Sequence, residues 1–407
     1  MTSPGAAKKD GRILSEALYL AGFACLLVFF YLQTTTFTMD VPGPVYSLLR
    51  GVLCFCAFYR ISIYRDEIGP ATGAVLAAFM GLGVFFLIAR GDTMVLDIAL
   101  LTAGAYKVSF RRILTIYVFT AAFISLLALL CSQTGIIPDY TFLTNYGADE
   151  SVRHSLGIIY PTDCFAHVFY IAAAYFLLRW KRVTWYEIAG AAVVFAVLFF
   201  FTSARADLGS AVLMLILIAA AKISGYRDLM PKVLKKVFVW VLMPVCAAVI
   251  MVLTYLYSES SPLMLKLDAM TSYRLSLGKT GLGLYGFKLL GAPNFAENGN
   301  ANGGVRNYTY IFYDSAYIKY LFKYGIVMLA VLFIIYALIG LRLISSKMFY
   351  AMIFVGVIAA SFIIEHHMLE LSYNITFLML TADISTISHQ VPLLNNNNKN
   401  GIMAKAI

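Results

Sequence analysis

The sequence predicts an all-α protein that threads repeatedly through a lipid bilayer as a single domain, and three observations predict it. Of its 407 residues, 61% are hydrophobic and only 13% are charged, and the mean hydropathy of +0.81 lies far above that of water-soluble domains. Apolar runs long enough to cross about 30 Å of hydrocarbon recur along the chain. The cations fall in short segments between alternate runs, as the preference for positive charge on the cytoplasmic side requires. The net charge of +10 therefore reads as topology. A nucleic-acid surface would gather its cations on one face, so no nucleic-acid partner is expected.

Taken in order, the runs lie near 15–35, 44–59, 70–89, 94–106, 113–131, 161–178, 186–203, 207–222, 237–257, 315–340, 349–364 and 371–387. This is about twelve spans. Residues 1–390 make one transmembrane domain, and 391–407, with its NNNNKN tract, reads as a disordered low-complexity tail. Lys8, Lys9 and Arg12 precede the first run, but no A-x-A cleavage pattern follows, so that run is expected to be a retained helix. With the N-terminus in the cytoplasm, Arg60, Arg65, Lys107, Arg111, Arg112, Arg179, Lys181, Arg182, Lys222, Lys232, Arg342 and Lys347 all fall inside. Both termini are then cytoplasmic. The six cysteines sit in or beside apolar runs, without the Cys/His spacing of a zinc site, and read as small core residues. No D-x-D triplet occurs either, so the expected chemistry uses no metal and no cofactor.

Two outer loops are long, about 132–160 and 258–312, and loops of that length are where function concentrates. Within the second, Leu263, Leu267, Met270 and Leu277 recur at helical spacing, with Arg274 inside their stripe. Two readings follow: an interfacial helix whose arginine snorkels to lipid phosphates, or an arginine aimed inward at an anionic substrate. Arg50, inside the second span, needs either a buried acid as a strut or contact with substrate. Asp207 is the nearest obvious partner for Arg205.

The cations on the outer side are chiefly Arg90, Arg153, Arg205, Arg274, Lys279, Lys288, Arg306, Lys319 and Lys323, a set that points to an anionic client. Arg153, Arg205 and Arg274 stand out among them. A guanidinium offers a planar fork of donors that matches phosphate oxygens two at a time. At the depth of the outer hydrocarbon boundary, that suits a lipid-linked phosphate or pyrophosphate. If the pyrophosphate leaves, the same groups stabilise its developing charge. A base is also needed for an attacking sugar hydroxyl. Asp314 is the candidate, in an aromatic surround of Tyr308, Tyr310, Tyr313 and Tyr317 suited to sugar stacking. The plainer reading is that Asp314 caps the helix beginning near Ser315.

Four segments carry a resemblance. They are RHSLGIIYP at 153–161, TSARADL at 202–208, RLSLGKTGLGLYGFKLLG at 274–291, and Asp314-Ser315 followed, after nine residues, by Gly325. In this order they resemble the O-antigen and capsular polysaccharide polymerases, the Wzy family, which share an architecture with the O-antigen ligases. Thr162 stands where that family usually has Asn, and Asp314 stands where the ligases have His, a departure that favours polymerase over ligase.

The resemblance implies a GT-C-like membrane glycosyltransferase of the bacterial cytoplasmic membrane, with its active site on the outer face. Donor and acceptor would both be undecaprenyl-pyrophosphate-linked oligosaccharides. A chain-length regulator is a further expected partner. Asp314, Arg274 and Arg205 would be catalytic, and Arg153, His154, Tyr317, Tyr313 and Arg306 would bind substrate. The alternatives are a ligase with a different acceptor and a flippase of the lipid-linked unit. A flippase would be expected to show two similar halves and charges along a midplane cavity.

Overall fold

A computed structural model describes residues 4–37, 43–146, 149–228, 230–297 and 311–388. The apolar runs form helices because lipid leaves the backbone no partner but itself. In order these are α1 (Pro4–Leu32), α2 (Gly43–Tyr64), α3 (Pro70–Arg90), α4 (Met94–Gly104), α5 (Phe110–Gln133), α6 (Pro161–Arg179), α7 (Trp185–Thr202), α8 (Arg205–Ile223) and α9 (Lys232–Leu256). Then come α10 (Pro262–Met270), α11 (Arg274–Tyr285), α12 (Ala316–Ser345) and α13 (Phe349–Ser361). The one sheet among the described residues is an antiparallel hairpin, β1 (Thr141–Tyr146) with β2 (Asp149–His154), which pairs Phe142 with Arg153.

Local chemistry sets the helix ends. Pro70 and Pro161 occupy the first helical positions of α3 and α6, where a missing N–H costs nothing. Thr184 and Glu187 close a reciprocal capping box on α7.

Nine helices among the described residues are long and apolar enough to cross a membrane. Their exposure fits lipid. Only 11% of the apolar window of α7 is buried against 61% of that of α6, so α6 runs through the middle and α7 presents Val193, Val197 and Phe200 outward. In water that much exposed apolar surface would drive aggregation.

Two of the expected spans are shorter helices, α4 and α13. The last, 371–387, is not an α-helix. It is a chain of 3-10 turns at Thr376–Leu380 and Ile384–Ile387, running from the end of α13 to Asp383, whose N–H donates to the Val108 carbonyl at 2.7 Å. Irregular backbone at that depth survives only inside protein, and nearly every side chain of this segment is buried. Asn374 stands in for the missing helix bonds. Its amide nitrogen donates to the Met368 carbonyl (2.7 Å) and Tyr336 Oη (3.0 Å), and its oxygen accepts from the Thr376 N–H (3.0 Å) and hydroxyl (2.6 Å).

Arg50 has its strut. Its Nε and Nη2 donate to the two carboxylate oxygens of Asp97 at 2.5 and 3.1 Å, joining α2 to α4. Removing one member of a buried pair strands the other, whereas replacing both with apolar side chains is close to neutral. Arg50→Leu is therefore expected to lower the thermal midpoint in detergent, and Arg50→Leu/Asp97→Leu to recover most of the loss. A double variant as unstable as the two single losses added together would contradict this.

Gly325 breaks α12. Its φ of +86° belongs to the left-handed region, and a Cβ there would overlap the Gly291 nitrogen and the Leu289 carbonyl. The kink frees N–H groups to face the loop: Ile326 donates to Lys288 (3.0 Å) and Val327 to Leu289 (3.1 Å). Gly291 approaches as closely from the other side, at φ +74°. This seam docks the 286–292 loop against α12. Gly325→Ala is expected to abolish recovery of monodisperse protein, while Gly283→Ala, which meets nothing, is tolerated. Equal yields of the two variants would count against the seam.

Candidate functional site

The amphipathic stretch expected over 262–277 is two helices. Ser272 and Tyr273 both take left-handed conformations, φ +56° and +66°, and turn the chain between α10 and α11. The buried Asp268 carboxylate accepts the N–H groups of Leu275 (2.9 Å) and Ser276 (3.0 Å) and so caps the start of α11. The turn separates Arg274 from the apolar stripe. Leu263 and Met270 are exposed while Arg274 is buried, which decides for the inward-facing arginine.

Arg274 ties three segments together. Nε donates to the Ile364 carbonyl at 2.9 Å and Nη1 to the Thr271 carbonyl at 2.8 Å. Nη2 faces Asp314 Oδ2 at 3.4 Å and Glu365 Oε1 at 4.0 Å. Asp314 is held there because the start of α12 is pinned to the end of α13. The Ala316 N–H donates to the carbonyls of Phe362 (3.1 Å) and Glu365 (3.0 Å), and Ser315 Oγ donates to Phe362 (3.3 Å). Asp314 does not cap α12; the capping position is Ser315, without a side-chain cap bond. The Asp314 side chain is 28% exposed against 5% for Arg274, so the carboxylate is the accessible partner and the guanidinium the buried one.

Behind Arg274 lies a buried acidic cluster. Asp207 and Asp163 are the third residues of α8 and α6, where the helix dipole favours a carboxylate. Asp207 faces Glu365. Burial, and then the nearness of Asp207, pushes the Glu365 carboxyl well above the ordinary range. His367 Nε2 lies 3.3 Å from Glu365 Oε2 and 3.7 Å from Asp163 Oδ1, and Nδ1 lies 2.9 Å from Glu370 Oε2. The His367 ring stacks on Tyr373 at 3.6 Å, Tyr373 on His167 at 3.9 Å and His167 on Tyr31 at 4.1 Å, with His366 on the other side at 4.0 Å. Tyr320 Oη completes the support, donating to the His366 carbonyl and accepting the Leu369 N–H.

The other expected residues sort unevenly. Arg205 is exposed and opens α8, two residues before Asp207 and on a different face of the helix. Asp207 itself turns to Glu365 and Arg274. Arg153 Nε donates to the Thr202 carbonyl at 2.6 Å, which anchors the hairpin to the α7–α8 corner beside Arg205. His154 Nδ1 pairs with Asp139 at 2.7 Å and its ring packs edge-on to Phe201, so it serves the hairpin.

Tyr317 and Tyr313 must be corrected. Tyr317 is fully buried, with its hydroxyl donating to the Ala359 carbonyl at 2.8 Å, and Tyr313 is wedged among Tyr285, Phe295 and Phe322. Neither ring offers a face to a sugar; each lies on an inward face where helix packing takes it. Arg306, Tyr308, Tyr310 and most of the Asn/Gly-rich connector lie outside the described residues. Lys319 pairs with Glu297 (3.0 Å) and Lys323 with Asp92 (2.7 Å), and Arg90 donates to the Lys323 and Leu290 carbonyls. These cations of the outer set brace the loop.

Sequence reading passed over Asp163, Glu365, His366, His367 and Glu370. The signal was there: EHHMLE places four ionisable residues within six positions in a chain where they are scarce. It was passed over as a connection between two spans. Family models, curated proteins and solved structures contain no match to this chain.

The two arginines differ in what they hold. Arg274→Leu strands carboxylates in a buried site and is expected to cost about 3–5 kcal/mol, read as a lowered thermal midpoint. Exposed Arg205→Leu should stay within about 0.5 kcal/mol. Equal midpoints for both variants would show that the Arg274 pairing does not stabilise the fold.

Proposed function

We propose that this protein is a lipid-linked glycosyltransferase of the polysaccharide-polymerase type. It would join undecaprenyl-pyrophosphate-linked repeat units on the outer face of the bacterial cytoplasmic membrane, within a GT-C-like fold of about twelve spans. The observation that carries the reading is the juxtaposition of the accessible Asp314 carboxylate with the buried Arg274 guanidinium. These two residues, 40 positions apart in sequence, were expected to act together as base and diphosphate holder.

In the reaction, the hydroxyl oxygen at the nonreducing end of the acceptor attacks the anomeric carbon of the donor glycan. The bond from that carbon to the diphosphate oxygen breaks, and the hydroxyl proton passes to Asp314. Arg274, with Arg205 at the start of α8, takes the negative charge that gathers on the departing diphosphate. Arg274 now spends one nitrogen on carboxylates. A diphosphate that claims this nitrogen releases Asp314 for proton transfer, which couples donor binding to activation of the acceptor. Holding two lipid-linked substrates in line contributes as much as the charges do. A chain-length regulator would act on this complex from outside the chain.

A flippase of the same lipid-linked unit is the second reading. The buried acids and His367 favour it, because ionisable chains inside a membrane protein mark proton-coupled pathways. The two differ in what accumulates on deletion: single repeat units displayed outside for a missing polymerase, units trapped inside for a missing flippase. In the direct test, purified protein is given a defined lipid-linked repeat unit. Asp314→Asn keeps an oxygen for Arg274 but cannot take a proton, and should lower turnover by roughly 10²-fold or more without changing elution in detergent. Near-normal polymer formation by that variant would sink the assignment.

A further inference from the structure

The buried acidic cluster behind Arg274 has a geometry that glycosyl transfer does not use. The carboxyls of Asp163, Asp207, Glu365, Glu370 and Asp314 influence one another; Arg274 acts on Asp207, Glu365 and Asp314, and Lys319 and Lys323 act on Glu370. Buried His367 Nε2 has no hydrogen-bond partner among the described residues, and it lies beside the facing carboxyls of Asp207 and Glu365. The His367 side chain is 1% exposed and that of Glu365 4%. Leaving such an atom unsatisfied in a low-dielectric interior is costly unless something completes it.

We propose that His367, Asp163 and Glu365 bind a divalent transition-metal cation of the zinc, manganese or cobalt type, with His366 as a fourth ligand. Donor atoms of Asp163, His366 and His367 all lie within 4.8 Å of one another. Nε2 of His367 sits 3.7 Å from the Asp163 oxygen and 3.3 Å from a Glu365 oxygen. Ligands about 2.0–2.1 Å from a tetrahedral ion stand about 3.3 Å from each other, so an ion would draw these side chains inward by a few tenths of an ångström to about 1.5 Å.

The surroundings of His367 suit a ligand. Glu370 Oε2 lies 2.9 Å from Nδ1; in the tautomer that donates Nδ1–H to this carboxylate, the Nε2 lone pair is available to a cation held between the Glu365 and Asp163 oxygens. This carboxylate–imidazole arrangement is the one that fixes the tautomer of a metal-bound histidine. Tyr373 stacks on the ring and His366 packs against it at a tilt, and these contacts restrain it from turning away. Imidazole nitrogens mixed with carboxylates suit zinc, manganese or cobalt better than calcium or magnesium, which prefer oxygen alone. A spacing search along the sequence misses the site because Asp163 comes from α6, about 200 positions before His367.

The inference goes beyond the glycosyl-transfer reading, and its test uses no lipid substrate, so either can fail alone. Purified full-length protein in detergent is stripped with chelator, loaded with Zn²⁺ or Co²⁺, desalted and analysed for bound metal. About one equivalent of metal is expected, with a visible Co²⁺ absorption band and a higher thermal midpoint on loading. His367→Gln and Asp163→Asn should lose the band. Glu370→Gln, which leaves the ligands in place, should weaken binding by roughly 10–100-fold. His154→Gln, in the hairpin with its own Asp139 partner, should bind like the parent. Loaded parent protein that retains no metal, or His367→Gln that retains as much as the parent, overturns the proposal. The first of these results would mean that a proton on His367 holds the carboxylates together instead.

Discussion

Charge that must be buried must be matched, and that constraint organises the half of this molecule around α10, α11 and the start of α12. Arg274 is the point where it is met. One guanidinium reaches from the start of α11 to two backbone carbonyls and to carboxylates from the start of α12 and the end of α13. Because a guanidinium stays charged in any interior, those segments have to converge on it. The turn at Ser272 and Tyr273, the Asp268 cap on α11 and the pinning of Ala316 to Phe362 and Glu365 all serve that convergence. The neighbouring seam, where Gly291 and Gly325 let backbone meet backbone, lets the 286–292 loop lie flat against α12.

The same constraint makes the cluster behind Arg274 unusual. Acids from α6, α8 and the turn after α13 meet in one place, with fewer fixed cations than they need. Several ion pairs elsewhere are balanced one to one: Arg50 with Asp97, Lys319 with Glu297, Lys323 with Asp92. An imbalance retained deep in a membrane protein has a use, since a solely structural group would be replaced by something apolar at little cost. Anionic substrate, proton and divalent cation are the agents that such a site can engage; the proposals above place the first at Arg274 and Asp314 and the last at His367.

Much of the helical layout was legible in the residues. Long apolar runs became helices because a chain in lipid has no other way to satisfy its N–H and C=O groups. The need of Arg50 for a buried acid was legible too, although Asp97 as the acid was not. Pairing of Arg274 with Asp314 was anticipated as a shared function and appears as a direct contact. The misses share one cause. At 371–387 the hydropathy of a span belongs to 3-10 turns, because Asn374, Tyr336 and Thr376 supply the bonds that a helix would make internally. Tyr317 and Tyr313 read as stacking platforms from composition, yet an aromatic ring beside a site and one in the core look alike in a sequence. His366 and His367 were passed over because their partners Asp163, Tyr373 and Glu365 become neighbours only when α6 packs against the segment after α13.

By itself, then, the sequence determined the apolar solvent this chain lives in, where most of its long helices lie, and that Arg50 and Arg274 needed partners. Hydropathy, caps and breakers act over a few residues, so they survive reading in one dimension. Only tertiary structure decided which charges meet. The energy of burying a carboxylate depends on what lies within about 4 Å of it, and those neighbours come from helices far apart in the chain. The exposed Arg205 and the buried Arg274 are alike in sequence; packing gave one the surface and the other the carboxylates of Asp314, Glu365 and Asp207 to answer.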